Sequence, residues 1–125
     1  MMLRDIAQFL QSGGIGTLGV DLFLGQLPDS PDNCVAVFEY AGSPPDLHWD
    51  GEYPGVQVLV RNKSYEAGRA KIEAAKNVLH GVSETIVNNH RYLLIRANQS
   101  PFFLERDASN RAVFACNFSV IKEVE

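Results

Sequence analysis

The chain has 125 residues, of which 46% are hydrophobic and 21% charged, and carries a formal net charge of −4 at pH 7. This near-average composition excludes a disordered or fibrous chain, and the length suits one domain with one core. The acidic balance argues against a nucleic-acid-binding face, which needs clustered Lys and Arg, and no apolar run approaches the ~20 residues of a membrane-spanning helix.

The opening Met1-Met2-Leu3-Arg4-Asp5 has no basic stretch followed by an apolar one, so a cytoplasmic product is expected. Leu3, Ile6, Ala7 and Leu10 recur at helical spacing and predict an amphipathic helix over residues 2–11, ended by Ser12-Gly13-Gly14. Residues 19–24 read as a short strand, and Leu27-Pro28-Asp29-Ser30-Pro31-Asp32-Asn33 as two proline turns. Residues 34–40 form a second strand whose continuous apolar character places it inside the sheet.

Residues 41–53 contain Gly42, Pro44, Pro45, Asp46, Asp50 and Gly51, so they predict a loop. The same loop holds Leu47, Trp49 and Tyr53, which solvated loops seldom carry, and that combination predicts docking. Val56, Val58 and Val60 then alternate with Gln57, Leu59 and Arg61 in a strand with one β-branched face.

The clearest helix follows. Ser64 is a good N-cap, Glu66 lies in the first turn, and Gly81 supplies the stop. Tyr65, Gly68, Ile72, Ala75 and Leu79 share one face, opposite Glu66, Arg69, Glu73 and Lys76. Gly68 on the apolar stripe lets the helix approach a sheet closely, although it costs about 1 kcal/mol against Ala. Residues 91–97, 102–105 and 112–121 are three further strands in a meander. Helix, strands, helix, strands with hairpin-like connections predict an α+β fold, a mostly antiparallel sheet of about five to six strands with two helices packed on one face.

Several motifs tempt toward chemistry. Gly14-Ile15-Gly16-Thr17-Leu18-Gly19 has the letters of a dinucleotide-binding loop, with Glu39 about 20 residues on. That mechanism needs a strand before the glycines and a helix after them, whereas here the order is reversed. His48, Asp50 and Glu52 place an imidazole near two carboxylates, but neither His80 nor His90 adds ligand spacing, so a solvated charge cluster is the simpler account. Cys34 and Cys116 lack zinc spacing and are expected as small core residues. No Gly-x-Ser-x-Gly elbow occurs, and Asp29 to Asp32 lacks the alternating ligands of a calcium loop. No catalytic residue, metal site or cofactor is expected.

One ordered series of residues has a recognisable counterpart. Pro31-Asp32-Asn33 leads into an apolar strand that ends at Tyr40-Ala41-Gly42-Ser43-Pro44-Pro45; Pro54-Gly55-Val56-Gln57-Val58-Leu59-Val60-Arg61 and Ser64-Tyr65 follow, and Asn117-Phe118 sits in the last strand. The series resembles the phage minor capsid protein family, whose members are similar to tail-terminator, or tail-completion, proteins of long-tailed bacteriophages. The resemblance covers about residues 27–120, and the block from Pro54 to Tyr65 is its most specific part.

It implies a structural subunit without an active site, which forms a homo-oligomeric ring, a hexamer by the family's pattern, on the head-proximal end of the tail tube. Its partners would be other copies, the tail tube protein and a neck or head-completion protein, with virion localisation after assembly in the bacterial cytoplasm. The matching residues also have plain structural roles: Pro31-Asp32-Asn33 as a turn, Gln57 and Arg61 as polar strand members, Ser64 as a cap. Interfaces favour aromatic residues and Arg, so Leu47, Trp49, Tyr53 and Phe103 are the expected contact residues, with Phe103 outward from a buried Phe102. Net negative charge suits a lumen through which DNA slides without being held. A neck protein shares these features, and a non-viral small binding module using the Trp49 loop as a ligand lid is the reading from a different class.

Overall fold

The computed structural model describes all residues from Met1 to Glu125. The first helix, α1 (Met2–Ser12), turns Leu3, Ile6, Ala7 and Leu10 into the core. A short strand β1 (Leu22–Leu24) and two long ones, β2 (Cys34–Ser43) and β3 (Gly51–Asn62), precede the second helix, α2 (Tyr65–Leu79). Then come β4 (Ser83–Val87), β5 (His90–Ala97), β6 (Phe102–Arg106) and β7 (Ala112–Glu123).

The strands form one seven-stranded sheet in the order β1-β2-β3-β7-β5-β4, with β6 also paired to β7. β1 runs parallel to β2, and every other pair is antiparallel. β7 is the hub. Its first residues pair with β6, its later ones with β5 on the same edge, and β3 runs along its other edge from Gly51 opposite Glu123 to Asn62 opposite Ala112.

Alternate residues Val56, Val58 and Val60 of β3 and Phe114, Cys116, Phe118 and Val120 of β7 enter the same core cluster as the buried faces of both helices. Both helices therefore lie on one face of the sheet, and the expected α+β class with a mostly antiparallel sheet stands. No helix covers the other face, which antiparallel sheets commonly present to solvent.

Two features extend beyond the sequence reading. β4 adds a strand to the six expected. The residues expected as a loop from 41 to 53 are shorter as irregular chain, because β2 runs on to Ser43 and β3 begins at Gly51. The pairing shifts register between Tyr40 and Ser43, opposite Pro54, which cannot donate a ladder hydrogen bond and is accommodated at the irregularity. The result is a long hairpin whose outer half, from Glu39 to Ser43 on β2, is exposed.

The cap of α2 is as expected: the Ser64 hydroxyl accepts a hydrogen bond from the Ala67 amide at 3.2 Å. Arg61 and Arg111, both buried, fasten the proline loop to the sheet. Arg61 donates to the carbonyls of Pro28, Pro31 and Asp32, while Arg111 bonds to Asp29, Asp32 and Asp107. A buried guanidinium is tolerated here because three donors of Arg61 and four of Arg111 are directed at acceptors.

Gly68 has the role its position predicts. A Cβ there would stand 2.6 Å from Cε1 of Phe114, a ring held inside the core. Gly68→Ala should gain about 1 kcal/mol of helix propensity but lose about 1–3 kcal/mol by overpacking. We expect a net fall in the urea unfolding midpoint; an unchanged or higher midpoint would show that helix and sheet have room to separate.

Candidate assembly surface

The tip of the β2–β3 hairpin is a closed structure built from its own polar groups. The Asp46 carboxylate accepts from the His48 amide at 2.8 Å and from the Tyr53 hydroxyl at 3.0 Å, and the Trp49 indole N–H donates to that hydroxyl at 3.3 Å. These bonds hold the Asp46 carboxyl below the usual carboxylate range, the His48 amide foremost. The Trp49 and Tyr53 rings meet edge to face with centroids 6.5 Å apart. Trp49 lies on Gly51, where a Cβ would fall 2.0 Å from Cζ2 of the indole, so only glycine allows this seat.

Folding Trp49 back leaves Leu47 outward. Leu47 is 91% exposed and Trp49 38%, while Tyr53 is half-buried between them and Asp46. The backbone of the tip is tied to the end of the sheet by the Val124 amide, which donates to the Asp50 carbonyl at 2.8 Å. An exposed leucine on a hydrogen-bonded, rigid tip loses little conformational entropy on contact, which suits docking.

Phe103 is elsewhere. Its ring packs on Tyr65 and Phe114 with centroids 5.4 and 5.7 Å apart, and it is 40% exposed. It pairs with Phe114 on β7, nine residues from the Glu123 that faces Gly51, or roughly 30 Å along the strand. The sequence-predicted surface is therefore two surfaces: Leu47, Trp49 and Tyr53 at one end, Phe103 with Tyr65 and Leu104 at the other. The expected partner of Phe103 also differs, since Phe102 is half-buried rather than buried.

The residues that tempted toward chemistry do not converge. Glu52 accepts from the Lys122 ammonium at 2.8 Å, while His48 and Asp50 remain exposed on the tip. No group of three or more His, Cys, Asp or Glu side chains is arranged to hold a metal ion. The larger cleft, about 360 Å³, lies around Arg61, Arg111 and Leu104, and the smaller around Asp21, Asn62 and Lys71; neither includes the Trp49 loop. Cys34 and Cys116 are buried free thiols, and burial pushes Cys116 up to about 11. The glycine series from Gly14 follows α1 and precedes β1, the wrong order for a dinucleotide.

Sequence reasoning missed a buried polar network just below the hairpin tip. Asp5 is fully buried and accepts from the Tyr92 hydroxyl at 2.6 Å and the Asn88 amide at 2.8 Å, with His90 Nδ1 at 2.6 Å. Beside it, fully buried Lys122 is neutralised by Glu52 and Glu125 and lies 5.8 Å from the Tyr92 ring centroid. An acid in a first helical turn reads as a dipole partner, and a lone Lys near a strand end reads as solvated; only the register of β5 against β7, Tyr92 opposite Lys122, brings them together.

Burial alone would raise the Asp5 carboxyl, but hydrogen bonds from Tyr92, Asn88 and His90 and the charge of His90 outweigh it and hold it low. A carboxyl depressed on folding contributes stability that is full above its unfolded value of about 3.9 and is lost as pH falls through the lower folded value. Asp5→Asn should therefore destabilise the protein at pH 6 by about 1–3 kcal/mol, and the gap to the parent protein should narrow towards pH 3 in thermal melts. A gap that stays constant across that range would mean the carboxylate charge is not what the network uses.

The site is thus a rigid, partly apolar surface on a well-tied sheet, a feature of assembly proteins. Comparison with known proteins gives the class a family: residues 9–124 match the family described as bacteriophage tail terminator protein, and the chain belongs to it. No curated protein sequence matches the chain. Among solved structures it is similar to a chain from the virion of a native gene transfer agent (GTA) particle, with a TM-score of 0.76 at 13% identity over 98% of this chain and 95% of that one. At that identity the likeness concerns the fold. The protein is a phage tail structural protein.

Proposed function

We propose that the chain acts as a single tail-terminator domain that closes into a ring, a hexamer by family expectation, on the head-proximal end of the tail tube. The ring stops tube polymerisation and presents a surface to the neck or head-completion protein, so that tail and head join. The observation that carries this reading is the family match along nearly the whole chain. Its support from the structure is the exposed Leu47 on a preorganised tip, with Trp49 and Tyr53 behind it and Phe103 at a second contact.

The role requires no catalysis and no cofactor. DNA passes through the ring without being bound, in keeping with the net charge of −4. Assembly takes place in the bacterial cytoplasm and the product resides in the virion.

Leu47 offers a clean test because its side chain supports nothing inside the subunit. Leu47→Asp should leave the melting temperature within about 2–3 °C of the parent protein, since substitutions at so exposed a position rarely exceed ±0.5 kcal/mol. It should weaken assembly on tail tubes, read by co-sedimentation and light scattering, by about fivefold or more, as expected for an interface residue worth over 1 kcal/mol. Undiminished assembly would remove the tip from the interface, and a parent protein that neither self-associates nor binds tubes would overturn the function.

A further inference from the structure

The outer strands of a sheet leave backbone donors and acceptors open, and folded proteins shorten, bend or cover such edges. Here β1 is three residues long, and β4 is bent at Glu84, which has a positive φ. Two other stretches stay open. β2 pairs with β1 only from Val35 to Val37, so from Phe38 to Ser43 its ladder is with β3 alone. β6 pairs only with β7, and neither stretch makes a backbone hydrogen bond outside those ladders. Both are exposed, from Glu39 to Ser43 on β2 and from Phe103 to Arg106 on β6.

The two stretches lie on opposite edges of the sheet, with β3 and β7 between them. The open part of β2 is level with Tyr53 to Gln57 of β3, whereas β6, across β7, is level with Leu59 to Asn62. Their side chains match face by face. On the helix side, Glu39 stands opposite the core residue Val56, and Arg106 opposite the core residue Ala112. Glu39 has no cationic partner; Arg106 donates to the Asn110 carbonyl at 3.0 Å and meets no carboxylate. On the uncovered side, exposed Tyr40 stands opposite Gly55, and exposed Leu104 borders Leu59 and Val113. Glu105, opposite Val113, shares that side and so faces away from Glu39.

Resting on the ring reading above, we infer that the open part of β2 in one copy adds as an antiparallel strand to β6 of the next, so that one sheet runs from copy to copy around the ring. β2 and β7 point one way and β3 and β6 the other, so sheets continued the same way up bring β2 and β6 together antiparallel. Backbone pairing supplies the attachment and side chains set the register: Glu39 comes within reach of Arg106 on one face and Tyr40 of Leu104 on the other. The offset of the two stretches staggers neighbours along the strands, which in a closed sheet is the tilt of the strands to the axis. A ring of identical subunits joins head to tail through two different surfaces, and opposite edges of one sheet supply them. The occupant of the β6 edge is thus a second copy of this chain.

The test uses the full chain with tail tubes present, with ring formation read by sedimentation and cross-linking. Glu39→Arg or Arg106→Glu alone should weaken ring formation about fivefold or more at low salt, and a chain with both changes should recover most of the loss, which misfolding does not explain. Tyr40→Cys combined with Leu104→Cys should, with a short bismaleimide, give a ladder of linked copies that ends at the closed ring, whereas either change alone should give no ladder. Rings that survive both reversals and yield no linked copies overturn the edge pairing and leave the ring reading standing. A parent protein that forms no ring on tubes overturns both.

Discussion

The antiparallel pairing of β3 with β7 is the constraint on which the other features depend. It carries the core valines of one strand against the core aromatics of the other, from Val60 opposite Phe114 to Val56 opposite Phe118. Because side chains alternate between faces, a slip of one residue would send every one of them to the side that has no helices. The same register fixes the far end: Gly51 falls opposite Glu123, so the hairpin tip emerges beside the end of β7 and is tied there through Asp50 and Val124. Fold and candidate surface are two ends of one ladder.

Around that ladder the polar groups serve as fasteners. At one end, Arg61 and Arg111 hold the proline loop down through carbonyls and carboxylates. At the other, Asp5 and Lys122 join α1, β3, β5 and β7 beneath the hairpin. Buried charges of this sort are weak contributors to net stability even when well paired, but they are costly to leave unpaired and so select one arrangement. In the proposed role, a hairpin that presents Leu47 and Trp49 gains from a base that has a single arrangement, since less order has to be imposed on contact.

Much of this was legible in the sequence because local and tertiary preferences agree. Ser64 caps α2 and Gly68 sits against Phe114 where the apolar stripe places it; the valine alternation of β3 likewise faces the core. β4 was not legible, since Ser83 to Val87 is an exposed edge with no apolar alternation. Its one signal was Asn88-Asn89, both at positive φ, the pair that a two-residue hairpin turn favours. The hairpin extension was hidden by Gly42, Pro44, Pro45 and Pro54, which read as breakers and are in fact absorbed by a register shift and the tip. Phe103 was separated from Trp49 by tertiary register alone, which no local pattern contains. The Leu47 to Tyr53 segment stood out in the sequence because apolar side chains occur in a glycine- and proline-rich stretch, and the structure leaves Leu47 exposed there.

The most direct test of the central claim is the length of tail tubes assembled in the presence and absence of this protein, measured in electron micrographs. The account predicts that growth stops and that each stopped tube carries a ring of extra density at one end. Tubes that lengthen at the same rate with bare ends would contradict it.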